Sequence, residues 1–145
     1  MIKYDSKQLT ICIPTLNRYE KLKDTLGVLL TSKIANIEIL VSDNGSTDET
    51  WSYLSALKDE RLTVSRNSEN IGFTGNILKL LELSHTNFVL FMSDEDYVCI
   101  EGLKNILSSD SFNADTGIIY PSVMHEKKKS YYYKYSDSIF SKSKN

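Results

Sequence analysis

The sequence predicts an α/β fold, a three-layer sandwich in which helices cover both faces of a mostly parallel sheet. The prediction rests first on alternation, because short β-rich runs and helical patterns follow one another through the first 124 residues. It rests next on the runs themselves, which are apolar at most positions, as in strands buried on both faces. Composition agrees, since a chain of 145 residues with 41% hydrophobic and 25% charged residues is typical of one globular domain.

Five runs of four or five residues predict the strands. Each is rich in β-branched or aromatic side chains. They cover 9–13, 37–41, 62–65, 88–92 and 117–120. Because the first run is apolar and uninterrupted, we expect strand one to lie centrally, with the order 3-2-1-4 among the first four strands.

Four helical patterns separate these runs. Leu22, Leu26 and Leu29 recur at intervals of four and three residues, so they form one apolar stripe. A second helix is predicted from Ser46, because Glu49 follows three residues later as in a capping box. The third and fourth helices are predicted from about residue 74 to 84 and from 100 to 107.

Charge and hydropathy exclude several classes of protein. The formal net charge of −2 carries no signature of a polyanion-binding protein, so we expect no nucleic-acid partner. No apolar run is long enough to span a membrane and the N-terminus lacks the apolar stretch of a secretory signal, which predicts a cytoplasmic protein. The two cysteines, Cys12 and Cys99, are interpreted as small core residues.

Acidic side chains directly follow the fourth run. In an extended segment Asp94 and Asp96 point to the same side, and two adjacent carboxylates repel one another unless a cation or donors lie between them. Oxygen ligands of this kind suit Mg²⁺ or Mn²⁺. The alternative is a solvated acidic turn before the fourth helix.

Asp43 follows the second run in the same way. Ligands of parallel sheets bind beyond the carboxyl ends of the strands, so a carboxylate there can accept hydrogen bonds from a base edge or a ribose. The alternative is an acid at a helix N-terminus, which fits Asp48 better. Gly72 and Gly75 lack the spacing of a dinucleotide-binding fingerprint.

Taken in order, four segments resemble the nucleotide half of family 2 glycosyltransferases, which have the GT-A, Rossmann-like fold. The segments are 14–18 (PTLNR), 41–48 (VSDNGSTD), 70–73 (NIGF) and 91–96 (FMSDED). Each is unspecific alone, but four in order at the expected strand ends are a specific match. The resemblance covers roughly residues 8–108, about two-thirds of the chain.

The resemblance implies a role for each matching residue. Pro14, Thr15 and Arg18 look like the first nucleotide-binding loop, and Asp43 like the acid that reads the base. Asn70 and Gly72 look like the segment that closes over the nucleotide. Asp94 and Asp96 look like the family's Asp-x-Asp element, with Asp94 near the ribose and Asp96 on a divalent metal, Mn²⁺ or Mg²⁺.

The family also implies an activity, the transfer of a sugar from a nucleotide-diphosphate sugar to an acceptor hydroxyl. We expect an inverting reaction in cell-envelope polysaccharide synthesis, with a saccharide or lipid-linked acceptor. No residue matches the family's general base, so the catalytic residue is unknown and we expect the chain to lack the acceptor half. The alternative is a non-catalytic nucleotide-sugar-binding or interaction domain. An aspartyl-phosphate enzyme needs an aspartate where the first strand ends in Pro14-Thr15.

Two regions are predicted, a nucleotide-sugar-binding domain over 1–124 and a Lys/Tyr/Ser-rich tail over 125–145. From Glu126 onward the tail holds six lysines against two acidic residues. Such a tail is interpreted as a frayed terminus or a remnant of the acceptor half, and the alternative is attachment to an anionic membrane surface. An apolar edge left exposed would favour self-association.

Overall fold

Four strands form one parallel sheet with its first strand inside. The strands are β1 (Leu9–Thr15), β2 (Ile37–Asp43), β3 (Leu62–Arg66) and β4 (Phe88–Phe91). The order is β3-β2-β1-β4, so β1 lies between β2 and β4. The predicted order, the parallel direction and the central place of the first strand are confirmed.

The structure, a computed structural model, describes most of the chain. The described residues are 8–109, 123–125 and 130–133. The predicted strand at 117–120 lies outside them. The chain divides into two compact units, Met1–Asn105 and Ile106–Asn145, and the predicted domain boundary after residue 124 stays a prediction.

Two short strands lie in the second unit, β5 (Val123–His125) and β6 (Ser130–Tyr133). They pair antiparallel, with a register irregularity at Val123/Met124. β6 and the end of β5 fall in the stretch interpreted from the sequence as a tail without regular structure. All of the site described below belongs to the first unit.

Helices connect the parallel strands. They are α1 (Tyr19–Thr31), α2 (Thr50–Ala56), α3 (Gly72–Leu83) and α4 (Ile100–Leu107). The second begins four residues later than predicted, because the capping box does not form. Ser46 Oγ instead accepts the backbone N–H of Asn17 at 2.8 Å, and Asp48 Oδ1 accepts the N–H of Thr50 at 3.0 Å.

The two faces of the sheet bury different sets of side chains. Cys12 and Leu40 point to one face, where they cluster with Leu80 of α3. Ile11 and Ile39, one residue away on the same strands, must point to the opposite face and are fully buried there. The connections from β1 to β2 and from β2 to β3 step in the same direction across the sheet, so right-handed crossovers put α1 and α2 on that face. The connection from β3 to β4 steps back in the opposite direction and puts α3 on the other face. The predicted three layers result.

Exposure differs between the two cysteines. Cys12 is buried in β1, as predicted, but Cys99 is exposed just before α4, so its interpretation as a core residue is wrong. The apolar neighbours of Cys99 suggested a strand or helix interior, whereas the segment after β4 is an irregular turn at the surface. Across the described residues, no helix is both long and apolar enough to cross a membrane.

Candidate functional site

A cleft of about 530 Å³ opens at the carboxyl ends of β1 and β4, beside the first turns of α3. This is the point where strand order reverses, because β2 lies on one side of β1 and β4 on the other. Six of the residues singled out from the sequence line it: Pro14, Thr15, Arg18, Asn70, Gly72 and Asp94. The topology therefore brings these residues together from three separate segments of the sequence.

Thr15 and Asp94 join the ends of β1 and β4. The Thr15 hydroxyl donates to Asp94 Oδ2 at 2.8 Å, and the Thr25 hydroxyl of α1 donates to the Asp94 carbonyl at 3.0 Å. Asp94 is buried, and this burial raises the pKa of its carboxyl. The hydrogen bond from Thr15 and the charge of Arg18 oppose the rise. A buried acid with a shifted pKa in a cleft is typical of a binding site.

Arg18 places a positive charge on the wall of the cleft. Its guanidinium donates to Glu95 Oε2 at 3.0 Å, and both side chains are about half exposed. An exposed pair of this kind contributes little to stability, because solvent screens it. The Arg18 guanidinium can therefore leave Glu95 and bind a more strongly charged anion, such as a phosphate, with little loss of stability.

Asn44 connects the loop after β2 to the segment before α3. It is buried, its amide Nδ2 donates to Asn70 Oδ1 and to the Gly72 carbonyl, and its Oδ1 accepts from Ile71 N and Asn67 Nδ2. Gly72 has a φ of +78°, a conformation that favours glycine. Through these hydrogen bonds Asn44 holds the start of α3, where Gly72 has its left-handed conformation, beside the cleft.

Asp43, which by resemblance is the acid that reads the base, is not among the residues that line the cleft, and that role stays a prediction. Its side chain is fully buried. One oxygen accepts the N–H of Ser46 at 3.0 Å, and Oδ2 lies 3.3 Å from Arg66 Nε, without a hydrogen bond from any described residue. The carboxylate therefore turns back into its own loop, toward Ser46 and Arg66.

Asp96 is also not among the residues that line the cleft, and its assignment to a divalent metal stays a prediction. Its Oδ2 accepts the backbone N–H of Ser93 at 3.2 Å, because residues 93–96 form a tight turn rather than a continued strand. In that turn Asp94 is buried and Asp96 is exposed. The described residues contain no cluster of three or more potential metal ligands.

Eight lining residues were not singled out individually from the sequence, among them Asn44, Phe73 and Asn76. Asn76 is buried four residues before Leu80 on the core face of α3, where it bonds Ser42 through both ends of its amide. A polar residue on an apolar helical stripe was the available signal. Asn44 and Phe73 carried no such signal, since each looks like an ordinary loop or helix-start residue.

Comparison with known proteins identifies relatives of this chain. The sequence model described as glycosyl transferase family 2 matches residues 10–145. The glucosyltransferase WfaP of Escherichia coli, named for UDP-Glc and α-D-GlcNAc-diphosphoundecaprenol, is 28% identical over 67% of this chain. The abequosyltransferase RfbV of Salmonella typhimurium is 30% identical over 66%. The chain spans 39% and 30% of these two relatives.

Solved structures share the fold. The S. aureus TarS fragment 1–349 in complex with UDP superposes with a TM-score of 0.64 at 26% identity, covering 70% of this chain and 31% of that one. The mannosyltransferase PcManGT of Pyrobaculum calidifontis, solved with GDP-Man and Mn²⁺, superposes with a TM-score of 0.65. At 19% identity over 81% of this chain and 34% of that one, the latter likeness concerns the fold alone.

Proposed function

We propose, on the premise that this chain belongs to glycosyl transferase family 2, that its cleft binds a nucleotide-diphosphate sugar for transfer to an acceptor hydroxyl. One observation carries the proposal. A cleft at the switch point of the parallel sheet is lined by Thr15, Arg18 and Asp94, three side chains at the ends of β1 and β4 that suit an anionic, hydroxyl-bearing ligand.

Each group has a chemical task in this proposal. Arg18 is the cation for the diphosphate, since a guanidinium binds phosphate oxygens through two parallel hydrogen bonds. Asp94, held by Thr15, accepts from ribose hydroxyls. Asp43 is proposed to recognise the base through its Oδ2, which forms an ion pair with Arg66 Nε at 3.3 Å but accepts no hydrogen bond from the described residues.

The residues after β4 suit a divalent cation. Mg²⁺ and Mn²⁺ take hard oxygen ligands and are commonly held by one or two carboxylates with substrate phosphates and water. Asp96 offers an exposed carboxylate with one oxygen bonded to Ser93 N, and Asp94 lies two residues away. We assign the metal to Asp96, where the ion when bound would stabilise the charge on the departing nucleoside diphosphate.

The acceptor is proposed to be a saccharide or lipid-linked saccharide in cell-envelope polysaccharide synthesis, as supported by the WfaP name. Inversion requires a base that deprotonates the acceptor hydroxyl within about 3 Å. Asp94 and Asp96 are assigned to the donor, so another residue must be that base. Cytoplasmic location, peripheral association with a membrane and self-association stay predictions for this protein.

Titration calorimetry of the whole chain with UDP, with and without Mn²⁺, tests the proposal. We expect binding that Mn²⁺ strengthens, and loss of that strengthening in Asp96→Ala. The control is Asp24→Ala, which changes an exposed aspartate on α1. Unchanged Mn²⁺ dependence in Asp96→Ala would remove Asp96 from the site.

A transfer assay separates the enzyme from its alternative, a non-catalytic nucleotide-sugar-binding domain. The chain is incubated with UDP-glucose, Mn²⁺ and saccharide or lipid-linked acceptors. Both functions predict nucleotide binding. Because no residue of this chain matches the family's general base, we expect no product from the chain alone, and a glycosylated product would show that the chain is the enzyme and holds that base.

A further inference from the structure

The aromatic ring of Phe73 is unusually exposed for a large apolar side chain. Phe73 is 73% exposed, the highest value among the exposed large hydrophobic side chains of the described residues, and it lines the cleft from the first turn of α3. An apolar side chain left in water forgoes the stabilisation of burial. An exposed ring inside a concave site is therefore better explained by a ligand than by folding.

The backbone that carries Phe73 is held in place. Gly72, the preceding residue, donates its N–H to Asn70 Oδ1 at 2.9 Å, and its carbonyl accepts from Asn44 Nδ2 at 3.2 Å. The side chain of Asn44 is itself buried. The ring is thus presented from a rigid support, which lowers the entropy lost when a flat ligand packs against it.

The cleft separates charged side chains from uncharged ones. Arg18 and Asp94 lie at the ends of β1 and β4 and provide its charged groups. Near the start of α3 the lining is amide and aromatic, from Asn44, Asn70 and Phe73. A diphosphate belongs with Arg18, so the uncharged, planar part of the same ligand belongs with Phe73.

The amide of Asn70 adds a hydrogen-bond donor at this end. Gly72 N–H and Asn44 Nδ2 both donate to Asn70, which fixes the acceptor as Oδ1. The Asn70 Nδ2 group then donates to no acceptor among the described residues. A nucleobase needs both a stacking face and polar groups for its edge, and this end of the cleft provides both.

We infer that Phe73 is the residue on which the nucleobase of the donor stacks. The inference rests on the proposed function, since it assumes that the cleft binds a nucleotide. Stacking of a base on an aromatic side chain tolerates any base, because every base has a π-face. Phe73 therefore contributes affinity for the nucleoside, and other groups decide which base is chosen.

The test compares nucleotides with a ligand that has no base. UDP, GDP, CDP and inorganic pyrophosphate are titrated, with Mg²⁺, into the wild-type chain and into Phe73→Ala and Phe73→Trp. We expect Phe73→Ala to weaken the best nucleotide by about 5- to 100-fold, Phe73→Trp to bind it within about twofold, and pyrophosphate affinity to stay unchanged. Leu78→Ala is the matched control, since Leu78 is exposed on the same helix outside the cleft.

The possible failures are distinct. A wild-type chain that binds no nucleotide overturns the proposed function and this inference with it. Normal nucleotide affinity in Phe73→Ala overturns the inference alone. Equal losses of nucleotide and pyrophosphate also overturn it, because a disturbed cleft rather than a lost stacking face would explain them.

Discussion

The hydroxyl of Thr15 donates a 2.8 Å hydrogen bond to the carboxylate of Asp94, across the seam between β1 and the turn after β4. Both side chains are buried, although one belongs to the central strand and the other to a surface loop. The contact lies on the wall of the cleft, so the same bond stabilises the fold and orients a proposed ligand-binding carboxylate.

Thr15→Val should therefore lower stability. The isosteric change leaves a buried carboxylate oxygen without its donor, which costs about 1–3 kcal/mol. Since the Thr15 hydrogen bond favours the charged carboxylate, the variant raises the pKa of Asp94 further. The loss of unfolding free energy should have its full size at neutral pH, where Asp94 is charged in both proteins. It should shrink as the pH falls below the raised pKa of Asp94, because the carboxyl is then protonated in both. Urea unfolding from pH 4 to 8 measures it.

Thr15→Ser retains the hydroxyl and is the control for that experiment. It should unfold close to the wild-type urea concentration at every pH. A loss of stability in Thr15→Val that did not depend on pH would contradict this. It would show that the packing of the methyl group that replaces the hydroxyl, rather than the lost hydrogen bond to Asp94, causes the loss.

Gly45→Ala should destabilise the chain by more than about 1 kcal/mol. Gly45 has a φ of +80°, and a Cβ built there lies 2.9 Å from the backbone carbon of Glu69. Side chains rarely adopt this conformation, and the loop before α3 would have to move to make room.

Gly27→Ala gives the opposite expectation on the same chain. Gly27 lies inside α1 and a Cβ there meets nothing within 4 Å, so alanine should stabilise by about 0.5–1 kcal/mol. Thermal unfolding of both variants tests the pair. Equal stability of Gly45→Ala and wild type would contradict the close approach of the two loops.

The two cysteines should differ in reactivity. Burial, aided by the charge of Glu38, raises the pKa of Cys12 to about 12, and its side chain is inaccessible. Since the thiolate is the reactive form, Cys12 stays protonated from pH 7 to 9 and should not react in the folded protein. Cys99 is exposed. We expect one thiol to react rapidly with a disulfide reagent at pH 8, and the second only after denaturation.

Cys12→Ser and Cys99→Ser identify the reacting thiol. The Cys99→Ser protein should show no rapid reaction, whereas Cys12→Ser should keep it. Two rapidly reacting thiols in the native wild type would mean that β1 is exposed to solvent far more often than a central strand allows.

By itself the sequence predicted the parallel sheet, its order and its central strand. The apolar runs of β1 and β2 are indeed buried on both faces, whereas β3 and β4 at the edges are only partly buried. It also placed Thr15 and Asp94 at one edge of the sheet, since the carboxyl ends of adjacent parallel strands meet there, whereas Arg18 was implied only by the family resemblance. Only the tertiary structure decided where the other polar groups point. Asp43 and Asp96 turn their carboxylates toward the backbone N–H groups of Ser46 and Ser93. Loop hydrogen bonds of this kind depend on how distant segments pack, so no periodic pattern in the sequence predicts them.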